Sequence, residues 1–179
     1  MKGKHGTHLK TLYLKPGEVH LTSEPTLITT VLGSCISITM HHKATGFSVI
    51  CHAVMPSRSE AKKKDDEGRD IFQYVDTSIE WMVAQCRKIG IRPGSVEVKM
   101  FGGAAMFHDA GALRRDIGVG KKNIERAMET LKVNKMKLNA WNVGGSQGRK
   151  LIFNTHTGEV LARFISKTGT ALIDFGGKK

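Results

Sequence analysis

Residues 26–56 read TLITTVLGSCISITMHHKATGFSVICHAVMP, and this stretch decides the fold. Apolar and polar residues alternate in short runs that are separated by Gly33-Ser34 and by a polar turn around Lys43-Ala44. Alternation bounded by glycine and polar turn residues is typical of paired β-strands. We therefore predict three strands, over Thr26–Leu32, Ile36–His41 and Phe47–Met55.

The last two of these strands bring a thiol close to an imidazole. In an antiparallel hairpin centred on Lys43-Ala44, the numbers of facing residues add up to 87, so Cys35 faces His52. Side chains that face each other across such a ladder have Cβ atoms about 4.5–5.5 Å apart. A slip of one residue would put them on opposite faces of the sheet, so the prediction depends on the turn.

A cysteine beside a histidine is the minimum equipment for nucleophilic catalysis. The imidazole takes the proton of the thiol, and a third polar group normally orients the imidazole. An ordinary thiol is only about 3% thiolate at pH 7, and a neighbouring imidazolium would raise that fraction. Thr29 and Thr30 are both candidates for the third group, and because they alternate across a strand only one can face the site. The alternative is that Cys35 and His52 only pack in the core, as most buried cysteines do.

Five sequence blocks occur along the chain in the order LGSCISITM, HAVMP, QYVDTSI, FGGAAMF and NVGGSQGR. Together they resemble the chemoreceptor glutamine deamidase (CheD) family, and the resemblance spans about Leu14 to Arg163. GSC followed by HxxxP is the most specific pair of motifs. The nucleophilic cysteine of the family corresponds to Cys35 and its histidine to His52. Its threonine, which lies six residues before the cysteine, corresponds to Thr29.

The resemblance implies a protein-glutamine deamidase, an amidohydrolase that needs no cofactor and converts specific glutamines of chemotaxis receptors to glutamate. It also implies that some receptors undergo methyl-ester hydrolysis and that a CheC-type phosphatase is a regulatory partner. Acyl transfer needs hydrogen-bond donors for the oxyanion of the intermediate. We expect oxyanion or substrate support from four small residues, Gly33, Ser34, Gly102 and Gly103.

Two other functions remain open at this stage. The same Cys35–His52 site would also serve a cysteine deamidase that acts on another protein, and only the substrate distinguishes the two. A non-enzymatic module that sequesters a partner through a basic surface is the second alternative. In that case Cys35→Ala would leave the function unchanged, whereas reversing the basic clusters would abolish it.

The composition narrows the class of protein. The chain has 179 residues and a formal net charge of +12, but its basic clusters are short and lack interleaved aromatic residues, which argues against nucleic acid as a partner. Two interpretations of the positive charge remain: it is a plain solvated surface, or it steers the protein toward an acidic helical partner. No apolar run reaches the roughly 18 residues of a membrane span, and no apolar signal core follows the N-terminus, so we expect a cytoplasmic protein. Unpaired cysteine spacing predicts reduced thiols, and the absence of CxxC and HExxH patterns predicts no metal site.

The rest of the chain adds two helices and further short strands. We predict helices over Ile71–Ile89, with Asp70 as N-cap and Cys86 on the buried stripe, and over Lys121–Leu131. The polar segment 57–70 is predicted to be a loop near the His52 strand, where it could act as a lid. The other predicted strands are Thr11–Leu14, Glu18–Leu21, Ser95–Phe101, Lys137–Val143, Arg149–Asn154 and Glu159–Ile165.

These elements predict one domain over residues 1–179, with flexible tails at 1–10 and 167–179. The strands outnumber the helices and do not alternate with them regularly, which favours an α+β fold over a doubly wound sheet. We expect a layered sandwich of mixed β-sheets with the two main helices packed on one side, in line with the resemblance.

Overall fold

The computed structural model describes residues 9–59, 71–105, 118–165 and 171–172. Its helices are α1 (Val75–Lys88) and α2 (Val119–Val133), and single 3-10 turns lie at Ile71–Gln73 and Pro93–Ser95. The strands are β1 (Lys10–Tyr13), β2 (Val19–Thr22), β3 (Thr26–Leu32), β4 (Ile36–His42), β5 (Phe47–Cys51), β6 (Glu97–Gly102), β7 (Leu138–Val143), β8 (Arg149–Asn154), β9 (Val160–Ile165) and β10 (Ala171–Leu172).

The strands form two five-stranded sheets of mixed direction. The outer sheet has the order β1-β3-β8-β9-β10, and the central sheet has the order β2-β5-β4-β6-β7. Each sheet contains a parallel pair, β1 with β3 and β6 with β7, among antiparallel neighbours. Both helices pack on the central sheet, so the layers run helices, central sheet, outer sheet. The predicted α+β sandwich with its helices on one side is therefore confirmed.

The central sheet is covered on both faces, which is why every residue of β5 and every residue of β4 except the half-buried His42 is buried. On the helix side, Ile38 belongs to the large apolar cluster that includes α1 and α2. On the other side, Ile50 packs in one cluster with Ile28, and Phe101 packs in another with Leu32. A polar side chain placed between the two sheets is thus shielded from water by apolar neighbours.

The register of the β4–β5 hairpin differs from the predicted one. His42 pairs with Phe47 and Thr39 pairs with Ile50, so the numbers of facing residues add up to 89 rather than 87. The prediction was wrong because the loop holds the four residues 43–46, with Gly46 at a φ of +69°. The turn is therefore centred one residue later than Lys43-Ala44.

A shift of two in this sum keeps every side chain on its predicted face, because strand faces alternate with a period of two. The isolated bridge between Ile36 and Ala53 continues the same register beyond the ladder. In that register His52 faces Ser37, and Cys35 is the diagonal neighbour of His52 on the same face. The register thus makes the two residues diagonal neighbours on one face instead of the direct pair that was predicted.

The start of α1 is a second correction to the predicted elements. The helix begins at Val75 rather than Ile71, because Tyr74 is extended, with φ −106° and ψ 140°, and bridges to Met55. The Val75 N–H then donates to the Met55 carbonyl at 2.8 Å. The predicted N-cap, Asp70, lies outside the described residues, as does segment 60–70 of the predicted lid.

Both predicted tails contain a little regular structure. Lys10 begins β1, and Ala171–Leu172 forms β10 against β9, within the segments 1–10 and 167–179 that were predicted as tails. Residues 1–8, 167–170 and 173–179 of these tails lie outside the part of the chain that the structure describes. Within the described residues, neither helix is long and apolar enough to cross a membrane.

The layered core predicts a large difference between two isoleucines at α1. Ile79 is 0% exposed in the cluster between α1 and the central sheet, whereas Ile89, directly after the helix, is 55% exposed. We expect Ile79→Ala to lower the free energy of unfolding by about 2–5 kcal/mol, and Ile89→Ala to lower it by less than about 1 kcal/mol. Urea unfolding followed by circular dichroism measures both, and equal losses would contradict the described packing.

Candidate active site

The segment that leads from β3 to Cys35 is fixed by hydrogen bonds to three consecutive carbonyls. The Gly33 carbonyl accepts from the Ala104 N–H at 2.9 Å, the Ser34 carbonyl from the Asn123 side-chain amide at 2.9 Å and the Cys35 carbonyl from the Gly103 N–H at 2.8 Å. Because each peptide unit is planar, fixing three consecutive carbonyls fixes the peptide planes on both sides of Cys35. The backbone of the candidate nucleophile is therefore set by α2 and by the loop after β6.

The three cysteines differ in their exposure to solvent. Cys35 is half-buried, whereas Cys51 and Cys86 are fully buried. Burial raises the pKa of Cys51 to about 12 and that of Cys86 to about 11, so both remain protonated thiols at neutral pH. The prediction that Cys86 belongs to the core is confirmed.

His52 is fixed in the space between the two sheets. Its backbone N–H donates to the Glu18 carbonyl at 2.9 Å, and its carbonyl accepts from the Gly17 N–H at 2.7 Å. The whole residue is only 1% exposed, and Nδ1 of the imidazole lies 2.8 Å from the Thr30 hydroxyl of the outer sheet. Nε2 is buried and has no hydrogen-bond partner among the described residues.

The proton positions on this pair follow from the chemistry of its partners. The Thr30 hydroxyl donates its single hydrogen to the Leu14 carbonyl at 2.8 Å, since a carbonyl oxygen can only accept. The Thr30 oxygen must therefore accept a hydrogen bond from the Nδ1–H of His52. The neutral imidazole then carries its proton on Nδ1 and its lone pair on Nε2, which is the tautomer that a general base requires.

Burial also keeps the imidazole neutral. It lowers the pKa of His52 from 6.5 to about 4, and the Leu14 carbonyl and the charge of Glu18 raise that pKa only in part. At pH 7 His52 is therefore an uncharged proton acceptor. The expectation of an imidazolium that raises the thiolate fraction before substrate arrives is thus not met.

The structure distinguishes the two threonines that the sequence left open. Thr30 faces the central sheet and is bonded to His52, whereas Thr29 is half-buried on the opposite face of β3, between Tyr13 and Ile152 in the outer sheet. The residue implied by the resemblance, Thr29, is therefore not brought to His52. Alternation alone could not choose, because both faces of β3 carry apolar residues.

Gly102 and Gly103 lie directly against the Cys35 backbone. The Gly103 N–H donates to the Cys35 carbonyl, so in this arrangement it holds the backbone of Cys35 and is not available to a substrate oxygen. Gly102 has a φ of +109°, and a Cβ there would lie 2.1 Å from the Cys35 carbonyl oxygen. Glycine is therefore needed at position 102 for the loop to approach Cys35.

Sequence reasoning missed two buried polar residues that brace the site. Asn123 of α2 holds the Ser34 carbonyl, and Arg149, which is 1% exposed, donates to carbonyls of Asn142 and Gly144. The Gly144 N–H donates in turn to the Gly102 carbonyl at 2.9 Å, so Arg149 braces the loop after β6 from behind. Burial lowers the pKa of Arg149 to about 10, which leaves it charged at neutral pH. The only sequence signal for Arg149 is its place in the NVGGSQGR block.

No group of three or more His, Cys, Asp or Glu side chains among the described residues is arranged to hold a metal ion. On the Cys35 side of the central sheet, the strand register instead puts the His52 imidazole with its Thr30 hydroxyl, and the Cys35 loop itself is held by backbone amides and the Asn123 amide. This set of groups suits proton transfer to and from a thiol and acyl transfer onto it. His52, Thr30 and the Cys35 loop belong to three different parts of the fold: the segment after β5, strand β3 and the segment before β4.

The close approach of the two loops predicts a specific effect of Gly102→Ala. The new methyl group would collide with the Cys35 carbonyl in a backbone conformation that favours glycine. We expect a loss of about 2 kcal/mol or more in the free energy of unfolding. Gly144→Ala is the matched control, because Gly144 also has a positive φ of +76° but nothing within 4 Å of its added Cβ. Similar losses in the two variants, measured by urea unfolding, would contradict the contact.

The depressed pKa of His52 predicts a pH dependence of stability. The unfolded chain protonates this imidazole near pH 6.5, whereas the folded protein resists protonation down to about pH 4. As far as His52 is concerned, the free energy of unfolding is therefore highest above pH 6.5. It decreases as the pH falls, by about 2 kcal/mol at pH 5. Urea unfolding at pH 7 and pH 5 should show this loss in the wild type and in His156→Gln, and a smaller loss in His52→Gln. The same pH dependence in all three proteins would refute it.

Comparison with known proteins places this arrangement in a family. Residues 54–164 match the CheD family, described as CheD chemotactic sensory transduction. The chain is 42% identical over 160 residues to "Probable chemoreceptor glutamine deamidase CheD 2" of Geobacter sulfurreducens, which covers 89% of this chain and 93% of that protein. It is 35% identical to "Probable chemoreceptor glutamine deamidase CheD" of Maridesulfovibrio salexigens, over 89% of this chain and 94% of that one.

Among solved structures, the crystal structure of Bacillus licheniformis hypothetical protein YfiH aligns with a TM-score of 0.41 and 10% identity, over 72% of this chain and 50% of that one. The family match and the two relatives each cover more than half of the chain. The chain therefore belongs to the CheD family of chemotactic sensory transduction proteins.

Proposed function

We propose that this protein is a protein-glutamine deamidase that converts glutamine side chains of chemoreceptors to glutamate, with Cys35 as the nucleophile. The observation that carries the proposal is the buried His52, whose Nδ1–H is held by Thr30 and whose Nε2 is left as a base. The relatives support the substrate class, because their names describe chemoreceptor glutamine deamidases.

The first half of the reaction releases ammonia. As the Cys35 sulfur attacks the carboxamide carbon of a glutamine, His52 Nε2 takes the proton of the thiol, and a sulfur–carbon bond forms. The carbonyl oxygen becomes an oxyanion, which backbone donors stabilise. When the intermediate collapses, the carbon–nitrogen bond breaks, and His52 gives its proton to the leaving nitrogen, so that ammonia departs and a thioester remains.

The second half restores the enzyme. His52, neutral again, takes a proton from a water molecule while the water oxygen bonds to the thioester carbon. The sulfur–carbon bond then breaks, the proton returns to the sulfur of Cys35, and the product is glutamate. The sum of the two halves is glutamine plus water giving glutamate plus ammonia, so no oxidant, reductant or cofactor is consumed.

A neutral resting histidine suits both halves of this cycle. A histidine with a pKa near 4 is almost entirely in the base form at pH 7, so each half can begin without first losing a proton. Thr30 keeps the Nδ1 proton in place throughout, and it stabilises the imidazolium that forms transiently, as the third member of a catalytic triad does. We therefore propose Thr30, rather than Thr29, as the third residue.

The surface charge fits the proposed partner. A formal net charge of +12 favours encounter with acidic surfaces and would raise the association rate in low salt. An acidic helical region of a chemoreceptor is such a surface. We propose a cytoplasmic location for this encounter, with a CheC-type phosphatase as a further partner.

The experiment that tests the proposal mixes the purified protein with a cytoplasmic chemoreceptor fragment and maps glutamine-to-glutamate conversion by peptide mass spectrometry. We expect conversion at defined glutamines by the wild type and none by Cys35→Ala. His52→Ala should lower the rate at least about 1,000-fold. Conversion that survives Cys35→Ala would refute the mechanism, and no conversion by the wild type would leave binding through the basic surface as the function.

The third residue is tested by two valine variants of the same strand. Thr30→Val removes the acceptor of the His52 Nδ1–H, and we expect it to lower kcat about 10- to 100-fold. Thr29→Val changes a side chain on the opposite face of β3, and we expect kcat to stay within about two-fold. The reverse order of the two effects would assign the role to Thr29, as the resemblance implies.

A further inference from the structure

A buried asparagine joins the loop of Cys35 to the strand of His52. Asn123 of α2 is 0% exposed, and its side-chain nitrogen donates to the carbonyls of Ser34 and Val54, both at 2.9 Å. Because both partners are carbonyl oxygens that can only accept, the nitrogen of the amide must face them, and its orientation is unambiguous. One primary amide thus uses both of its hydrogens on the two strands that carry the proposed catalytic pair.

The two carbonyls that Asn123 binds lie next to the proposed catalytic residues. Ser34 immediately precedes Cys35, and Val54 follows His52 by two residues. In the observed register the last bridge between the two strands joins Ile36 to Ala53. At the next position Cys35 faces Val54. There the ladder has ended, and Asn123 links the two strands through the carbonyls of Ser34 and Val54.

The hydrogen bond from Asn123 to the Ser34 carbonyl also sets the orientation of the Cys35 backbone N–H. The Ser34 carbonyl and the Cys35 N–H belong to one planar trans peptide, in which the two groups point in opposite directions. Since Asn123 holds the carbonyl from the helix layer, the N–H is directed away from α2. The imidazole of His52 lies on that side of the central sheet, because it is bonded to Thr30 of the outer sheet.

The remaining oxygen of the side chain shows that this contact is costly. Asn123 Oδ1 is buried and has no hydrogen-bond partner within the described residues. A buried acceptor without a partner costs about 1–3 kcal/mol. An apolar residue of similar size would avoid that cost, but it would release both carbonyls.

We infer that Asn123 is a positioning residue, which holds the Ser34–Cys35 peptide and ties it to the His52 strand so that the thiol and the base attack in the right geometry. The inference rests on the proposed deamidation. A misplacement of about 1 Å at a reacting atom can cost about 100-fold in rate. Asn123 therefore acts on kcat through Cys35 and His52, and it does not touch the substrate.

The test uses two reactions of the same thiol in the full-length protein. Glutamine conversion in a chemoreceptor fragment needs Cys35 and His52 in register, whereas alkylation by iodoacetamide at pH 10 needs only an accessible thiolate of Cys35. Asn123→Asp keeps the size of the side chain but turns a carboxylate toward two carbonyls, and Asn123→Ala removes the bridge. We expect both variants to lower kcat about 100-fold, with KM and the alkylation rate each within about three-fold of wild type.

Thr130→Val is the matched control on the same helix. Its hydroxyl donates to the Arg126 carbonyl within α2 at 2.8 Å, so the variant loses a buried helix contact but no contact to the site. We expect its kcat to stay within about two-fold of wild type, and thermal melting reports the stability of all variants. Wild-type kcat in both Asn123 variants would overturn the inference, as would parallel losses of kcat, alkylation and melting temperature. No conversion by the wild type would instead overturn the proposed function and, with it, the role of Asn123.

Discussion

The hydrogen bond between His52 and Thr30 is the contact on which the proposed chemistry depends. It crosses the space between the two sheets, so it exists only when the outer sheet packs on the central one. Because Thr30 already donates to Leu14, the bond also fixes which nitrogen of the imidazole carries the proton. The packing of the outer sheet on the central sheet therefore also determines the tautomer of His52.

This arrangement lowers the stability of the fold, because it buries polar groups, and the apolar layers around it offset that loss. Burying an imidazole lowers its pKa to about 4 and leaves Nε2 without a partner among the described residues. Asn123 and Arg149 add further buried polar atoms that are only partly satisfied. A protein tolerates such groups when apolar burial elsewhere supplies the stability. The large cluster between the helices and the central sheet is well placed to do so, since it lies on the face away from the imidazole.

The sequence was sufficient for what depends on strand alternation and insufficient for what depends on packing. Cys35 and His52 share a face in spite of the wrong register, because an error of two in the sum leaves each side chain on its predicted face. The α+β sandwich followed from the same pattern. Thr30 could not be preferred over Thr29, because both faces of β3 are apolar and only the second sheet decides which is inside. Asn123 and Arg149 were missed for the same reason, since the carbonyls that they hold come from distant strands.

The same reasoning explains why the site is spread over so many elements. The proposed nucleophile, Cys35, needs a backbone that does not move when charge develops, and the carbonyls of residues 33–35 are held from α2 and from the loop after β6. That loop can approach only because Gly102 has no side chain, and Arg149 braces it through the segment after β7. Each brace comes from a different layer or strand, so no short peptide containing Cys35 and His52 would reproduce the site. The long-range topology is what brings the two residues of the proposed catalytic pair, 17 positions apart in the chain, to the same side of the central sheet.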